Sequence, residues 1–353
     1  MIKDKDILDI LNNVKDPELG VSIVKLGMVK KVEVENNKVF IEVELTTPAC
    51  PLGNQIEKSV KEAVTKAYPN LNVEVKLSAK TTSRLITPED ILPTVKNVIA
   101  IASGKGGVGK TTLACNLALA LSKFNVKVGL LDGDIYGPSI PTMLKINEPV
   151  RSNGVKLIPP ISHNIKVMSI GFFITEDTPL IWRGPILANV LRQMIMDVDW
   201  GELDYLIVDL PPGTGDVPLT LAQTLPLTGV IIVTTPQDAA VKIASKALLM
   251  FKKLNVEILG VVENMSYYLC EKCGNKNYIF GSEGAREMAK KYNVSFLGEI
   301  PFDPEIRIRS DEGKLPLLFN SESPISKAYI DLAMQVAARV SVINYSKQLS
   351  KKI

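Results

Sequence analysis

At 353 residues, with 46% hydrophobic residues and a formal net charge of +3, the chain is too long for one ordinary core and fits two domains. So small a charge gives no argument for nucleic acid or an anionic membrane as partner. No apolar run approaches the ~20 residues of a membrane span, and the start MIKDKDILDI reads as a charged amphipathic helix rather than a secretory leader, so a cytoplasmic protein is expected.

In chain order, residues 1–80 read as helix (Lys3 to Asn13), strand (Met28 to Glu35), hairpin turn at Asn36-Asn37, strand (Val39 to Leu45), helix (Leu52 to Ala67) and strand (Val73 to Leu77). This is a small α+β domain. The stretch 81–97 carries Thr81, Thr82, Ser83, Pro88 and Pro93 without sustained periodicity, and reads as a linker. From 98 to 353 strands alternate with helices. Continuous apolar strands are expected at Val98 to Ala102, Lys127 to Asp132, Tyr205 to Leu210, Gly229 to Thr235, Ile258 to Glu263 and Phe296 to Ile300, the pattern of a parallel sheet covered on both faces. Helices are expected at Lys110 to Lys123, Pro185 to Val198, Val217 to Leu225, Ala239 to Leu254, Glu283 to Tyr292 and Ser323 to Val342. The second domain is therefore α/β, with a doubly wound, mostly parallel sheet.

The segment Ser103 to Thr112, SGKGGVGKTT, follows the first of these strands and opens the first helix, the context of a phosphate-binding loop. Gly104, Gly106, Gly107 and Gly109 let the backbone of the loop, including Val108, approach a triphosphate. Lys110 reaches the β- and γ-phosphates, the Thr111 hydroxyl ligates Mg²⁺, and Thr112 supports the α-phosphate end. Lys105 needs a separate explanation, because a second cation would crowd the pocket that Lys110 serves. In sheets of this kind ligands sit at the carboxyl ends of the strands. There Asp134 is placed to orient or deprotonate a water, Asp132 to join the Mg²⁺ shell, and Asp209 to bind Mg²⁺ through water, with the Gly213 N–H near the γ-phosphate and Asp216 beside it. Asn264 has the amide donor and acceptor to read an adenine edge, and Pro301-Phe302-Asp303 follows the last strand.

The four cysteines lack the density and spacing of a secreted disulfide scaffold. The one histidine, His163, lies in a polar SHN turn and reads as a surface residue, so neither a His-rich metal site nor a His-dependent triad is expected. Cys270-Glu271-Lys272-Cys273-Gly274 is a metal-chelating turn, yet tetrahedral sites and clusters take four ligands. A two-fold axis would supply the other two. By spacing alone zinc and iron-sulfur weigh equally, with a redox dithiol third because the motif does not open a helix. Cys50 precedes a helix expected to start at Pro51, a position that lowers a thiol pKa and suits a transient ligand; the competing reading is a small buried hydrophobe. Cys115, inside the helix after the loop, reads as core.

The loop GKGGVGKTT resembles the deviant Walker A loop of the MinD, ParA and nitrogenase-iron-protein class of P-loop ATPases. That resemblance implies that Lys105 crosses a two-fold axis to the partner's phosphates, against the plain reading of a solvated lysine. Together DGDIYGPS, WRGP at Trp182 to Pro185, DLPPGTGD and ENMSYYLCEKCG resemble the Mrp and ApbC iron-sulfur carrier ATPases over nearly the whole second domain. Asp16-Pro17-Glu18 and Thr47-Pro48-Ala49-Cys50-Pro51 resemble the MIP18-like domain of iron-sulfur assembly factors. The resemblance implies an ATP-hydrolysing homodimer with a labile four-iron four-sulfur cluster bridging Cys270 and Cys273 of both subunits, loaded by cluster donors and passed to apo-protein acceptors. A MinD- or ParA-like spatial organiser acting through membrane or DNA is the alternative, its faint support being the lysines and apolar residues from Val342 to Ile353.

Overall fold

Hydrophobic alternation at period two and a buried helical stripe build one unit; uninterrupted apolar strands build the other. The computed structural model describes residues 2–135, 137–174, 184–270 and 272–350. Two compact units emerge, one from residues up to Thr82 together with those from Ala337 onward, the other from Ser83 to Val336.

In the first unit the helix Asp4–Leu11 precedes the antiparallel strands Val29–Glu35 and Lys38–Leu45, joined at Asn36 with φ 51°. The helix Gly53–Ala67 then returns the chain so that Asn72–Ala79 pairs parallel to Lys38–Leu45. Val39, Ile41, Val43 and Leu45 point to one face of the sheet and are buried, against Ile56, Val60 and Val64 at successive helical turns. From the chain's far end, Ser341 Oγ donates to the Thr46 carbonyl at 3.3 Å and Asn344 Nδ2 donates to Thr82 Oγ1 at 3.2 Å. The terminal helix runs Pro324–Ser350, beyond the expected end at Val342, and Ile343 in the supposed tail is buried.

The second unit holds an eight-stranded sheet in the order Phe296–Glu299, Ile258–Glu263, Gly229–Thr234, Val98–Ser103, Tyr205–Asp209, Val128–Asp132, Ile165–Ser169, Ile161–Ser162. All neighbours are parallel except the last pair. Val98–Ser103, Gly229–Thr234 and Ile258–Glu263 are buried along their whole length, as strands covered on both faces must be. Ile165–Ser169 was not expected from the sequence. The stretch 81–97, expected as a linker, is pinned within this unit from Ser83 on: the buried Arg84 guanidinium pairs with Asp90 and donates to the Leu92 carbonyl at 2.8 Å, and the Arg84 N–H donates to the Lys96 carbonyl at 2.9 Å. Among the described residues no helix is long and apolar enough to cross a membrane.

Candidate functional site

The strand Val98–Ser103 ends at the glycine loop, and the helix Lys110–Ser122 begins from Gly109, whose φ of 78° is left-handed. That helix is apolar on nearly every face and buried, so its N-terminus is fixed at the strand ends. Two glycines in the loop are required by space. A Cβ on Gly104 would stand 2.5 Å from the Ile243 carbonyl carbon, and one on Gly109 would stand 2.2 Å from Asn264 Nδ2. Asn264 is buried and donates from Nδ2 to the Val108 carbonyl at 2.8 Å, so its amide grips the loop itself.

Parallel register brings the carboxylates together. Asp209 pairs with Asp132 across one strand boundary and Asp132 with Ser169 across the next. Lys110 Nζ lies 2.7 Å from Asp209 Oδ1 and 3.7 Å from Asp134 Oδ2, and Thr111 Oγ1 donates to Asp209 Oδ2 at 2.7 Å. Burial pushes the Asp209 carboxyl above the usual carboxylate range, and Lys110 and Thr111 oppose it. Burial, with Asp209 beside it, pushes Asp132 up to about 7. Asp132 accepts from Ser169 Oγ at 2.9 Å and from the N–H groups of Ile140 at 3.3 Å and Asp134 at 3.2 Å. Ser169 went unnoticed in the sequence because its strand did.

Lys110, Thr111, Asp134 and Asp209 thus converge on one point at the loop, where all the acceptors are hard oxygens. The Thr111 hydroxyl and Asp209 fit Mg²⁺ in chemistry; Asp132 already accepts from three donors. Lys105 is half-buried and is not drawn into this cluster; Ser103 Oγ donates to its carbonyl at 3.0 Å. The Gly213 N–H donates to the Ser103 carbonyl at 2.9 Å, and Asp216 is exposed in the first turn of Asp216–Thr224. Trp182 and Arg183 of WRGP, Tyr136 of DGDIYGPS and Glu271 between the paired cysteines lie outside the described residues.

Cys270 and Cys273 occupy the turn of a short antiparallel hairpin, Tyr268–Leu269 against Lys276–Asn277. The Cys270 N–H donates to the Asn275 carbonyl at 3.0 Å and the Gly274 N–H to the Cys270 carbonyl at 2.8 Å, with Gly274 at φ 70° closing the turn. Cys270 is half-buried and Cys273 exposed. A cavity of about 720 Å³ opens beside Cys270, walled by Tyr268, Phe302 and Ile325 among others. Among the described residues no three His, Cys, Asp or Glu side chains gather as a metal site, and the hairpin brings two thiols. Cys115 is fully buried beneath the loop, as expected.

The expectation of an activated Cys50 is corrected. The helix begins at Gly53 rather than Pro51, and burial, helped by Glu18 and Asp16, pushes the thiol up despite hydrogen bonds from the Leu52 and Gly53 backbone.

Known proteins bear on this geometry. A family model described as NUBPL iron-transfer P-loop NTPase matches residues 94–337, and one described as iron-sulfur cluster assembly protein matches residues 4–77. The "Iron-sulfur cluster carrier protein" of Synechocystis sp. is 44% identical over 353 residues, spanning 97% of this chain and 99% of the relative. A nucleotide-binding protein from Archaeoglobus fulgidus, solved in complex with ADP, is 39% identical with a TM-score of 0.59, covering 69% of this chain and 98% of that one. The cell division ATPase MinD of Pyrococcus furiosus is 25% identical with a TM-score of 0.54, covering 68% and 98%. With a model matched over more than half its length and a relative aligned nearly end to end, the chain belongs to the iron-transfer P-loop NTPases of the NUBPL type, preceded by an iron-sulfur cluster assembly domain.

Proposed function

We propose that the protein is an ATP-hydrolysing iron-sulfur cluster carrier that works as a homodimer, holding a labile cluster between Cys270 and Cys273 of the two subunits and passing it to apo-proteins. One observation carries the reading: two thiols sit on one short hairpin with no third ligand beside them among the described residues, in a chain whose relatives are named for carrying clusters. Four thiolates suit a four-iron cluster, and a second copy is the simplest source of the missing pair.

At the loop, Lys110 exchanges its Asp209 partner for the β- and γ-phosphates, and the loop N–H groups from Gly104 to Thr112 cradle the chain of phosphates. Thr111 and Asp209 would hold Mg²⁺, which neutralises charge on the phosphate oxygens when bound. Asp134, 3.7 Å from Lys110 Nζ, would orient the attacking water, a role its nearness to that lysine supports. Lys105 is assigned to the phosphates of the other subunit.

Anaerobic reconstitution followed by optical and Mössbauer spectroscopy tests the cargo. Roughly four irons per dimer are expected, with loss of the signal in Cys270→Ser and Cys273→Ser. Zinc alone in the wild type, or an iron signal indifferent to both substitutions, would end the carrier reading.

A further inference from the structure

Glu263, the last residue of its strand, is fully buried, and no lysine or arginine pairs with it among the described residues. A carboxylate in such a place is costly unless donors satisfy it. Its two oxygens divide the work. Oε1 accepts from Ser266 Oγ at 2.7 Å, and Oε2 accepts from the Ala285 N–H at 2.9 Å.

Those two donors bracket the thiol hairpin. Ser266, itself fully buried, is where the chain leaves the sheet after a left-handed step at Met265, and its N–H donates to the Ile300 carbonyl at 3.0 Å. Ala285 is where the chain returns, in the first turn of Gly284–Tyr292, with Gly284 packed so tightly that a Cβ would stand 2.7 Å from the Pro236 carbonyl oxygen. Between these anchors the residues from Cys273 to Glu283 are exposed. The hairpin's own ladder is only two residues long on each strand, too short to be stable alone.

We infer that Glu263 is a positioning residue for the Cys270–Cys273 pair, its buried carboxylate tying together both ends of the excursion that presents the two thiols. The functional half of this inference rests on the carrier reading; the structural half does not. The next residue, Asn264, grips the phosphate loop at Val108, so one strand end sets the loop on one side and the thiol hairpin on the other.

The full-length chain is compared with Glu263→Ala, Glu263→Gln and Ser266→Ala by backbone hydrogen exchange and by the half-life of a reconstituted cluster against an iron chelator. Glutamine can accept from the Ala285 N–H and donate to the Ser266 hydroxyl, so it keeps the clamp and loses only the charge. Alanine leaves a buried N–H without an acceptor, and exchange across 267–283 is expected to quicken by about tenfold or more. The cluster should then be lost faster to the chelator, while the amides of Val98–Ser103 keep their protection. Ser266→Ala removes one contact of the two and should give a smaller change of the same kind. Unchanged exchange in Glu263→Ala, acceleration spread equally over the sheet, or a Glu263→Gln variant as impaired as alanine would each overturn the inference. If the wild type takes up no cluster, the carrier reading fails and the exchange measurement still decides whether the clamp exists.

Discussion

Burial and the neighbouring Asp209 both oppose ionisation of Asp132 and push its carboxyl up to about 7. A carboxyl raised in the folded state binds a proton that the unfolded chain releases near the ordinary aspartate value of 3.8, so its contribution to stability is complete below that pH and is lost as pH rises through about 7. The unfolding free energy of the protein without nucleotide should therefore decline between pH 4 and pH 7 more steeply than that of Asp132→Asn, by an amount on the order of a few kcal/mol across the window. Equal slopes in calorimetry would show that Asp132 is ionised throughout. Cysteines offer a second residue-scale reading. Cys273 is exposed, the Cys50 thiol is pushed up by burial, and Cys115 is sealed in the core. Alkylation followed by mass spectrometry at pH 8 should label Cys273 well before Cys50 and reach Cys115 only on unfolding. A Cys50 labelled first would restore the activated thiol that the sequence position suggested. Sequence could name Cys50 but not its neighbours: Asp16 and Glu18 lie some thirty residues away and act on it only through the fold.

Among the elements, those with a strong period were readable and those defined by distant partners were not. The glycine loop, its strand and its helix could be placed from SGKGGVGKTT because each residue type there answers a local demand of geometry. Ile165–Ser169 escaped because five residues after a His163-Asn164 turn carry too few alternations to show a period; pairing with Val128–Asp132 makes them a strand. The same limit hid the terminal helix's last turns, whose polar contacts Thr46 and Thr82 lie more than 250 residues upstream. Gly104 shows how an element can depend on a missing side chain. Its place against the backbone of Ile243 and Ala244 lets the helix Asp238–Lys253 lie on the loop. Gly104→Ala should cost about 1–3 kcal/mol or more in denaturant unfolding, as overpacking against rigid backbone does, and weaken nucleotide binding with it. A variant as stable as wild type would mean that the helix yields more readily than its packing indicates.

At the scale of the whole molecule, the proposed pairing would join two chains that each bring their own phosphate-loop cluster and, among the described residues, one pair of hairpin thiols. Lys105 is the residue through which the proposed pairing would reach the nucleotide, since Lys110, Thr111, Asp134 and Asp209 already converge without it. Lys105→Ala should lower ATP turnover by about a hundredfold or more if its charge serves the transition state as in-trans cations do elsewhere, while iron content after reconstitution stays at the wild-type level. Joint loss of dimer and cluster would show that the two roles are not separable. A mixing experiment distinguishes a lysine acting across the axis from one acting within its own chain. In a heterodimer of Lys105→Ala with Asp134→Ala, the first chain keeps its own Asp134 and receives an intact lysine from the second, so one of the two sites is whole. Random pairing then restores about a quarter of wild-type turnover from two inactive variants. If Lys105 served only its own chain's phosphates, every site in the mixture would lack one group, and phosphate release would stay at the level of either variant alone.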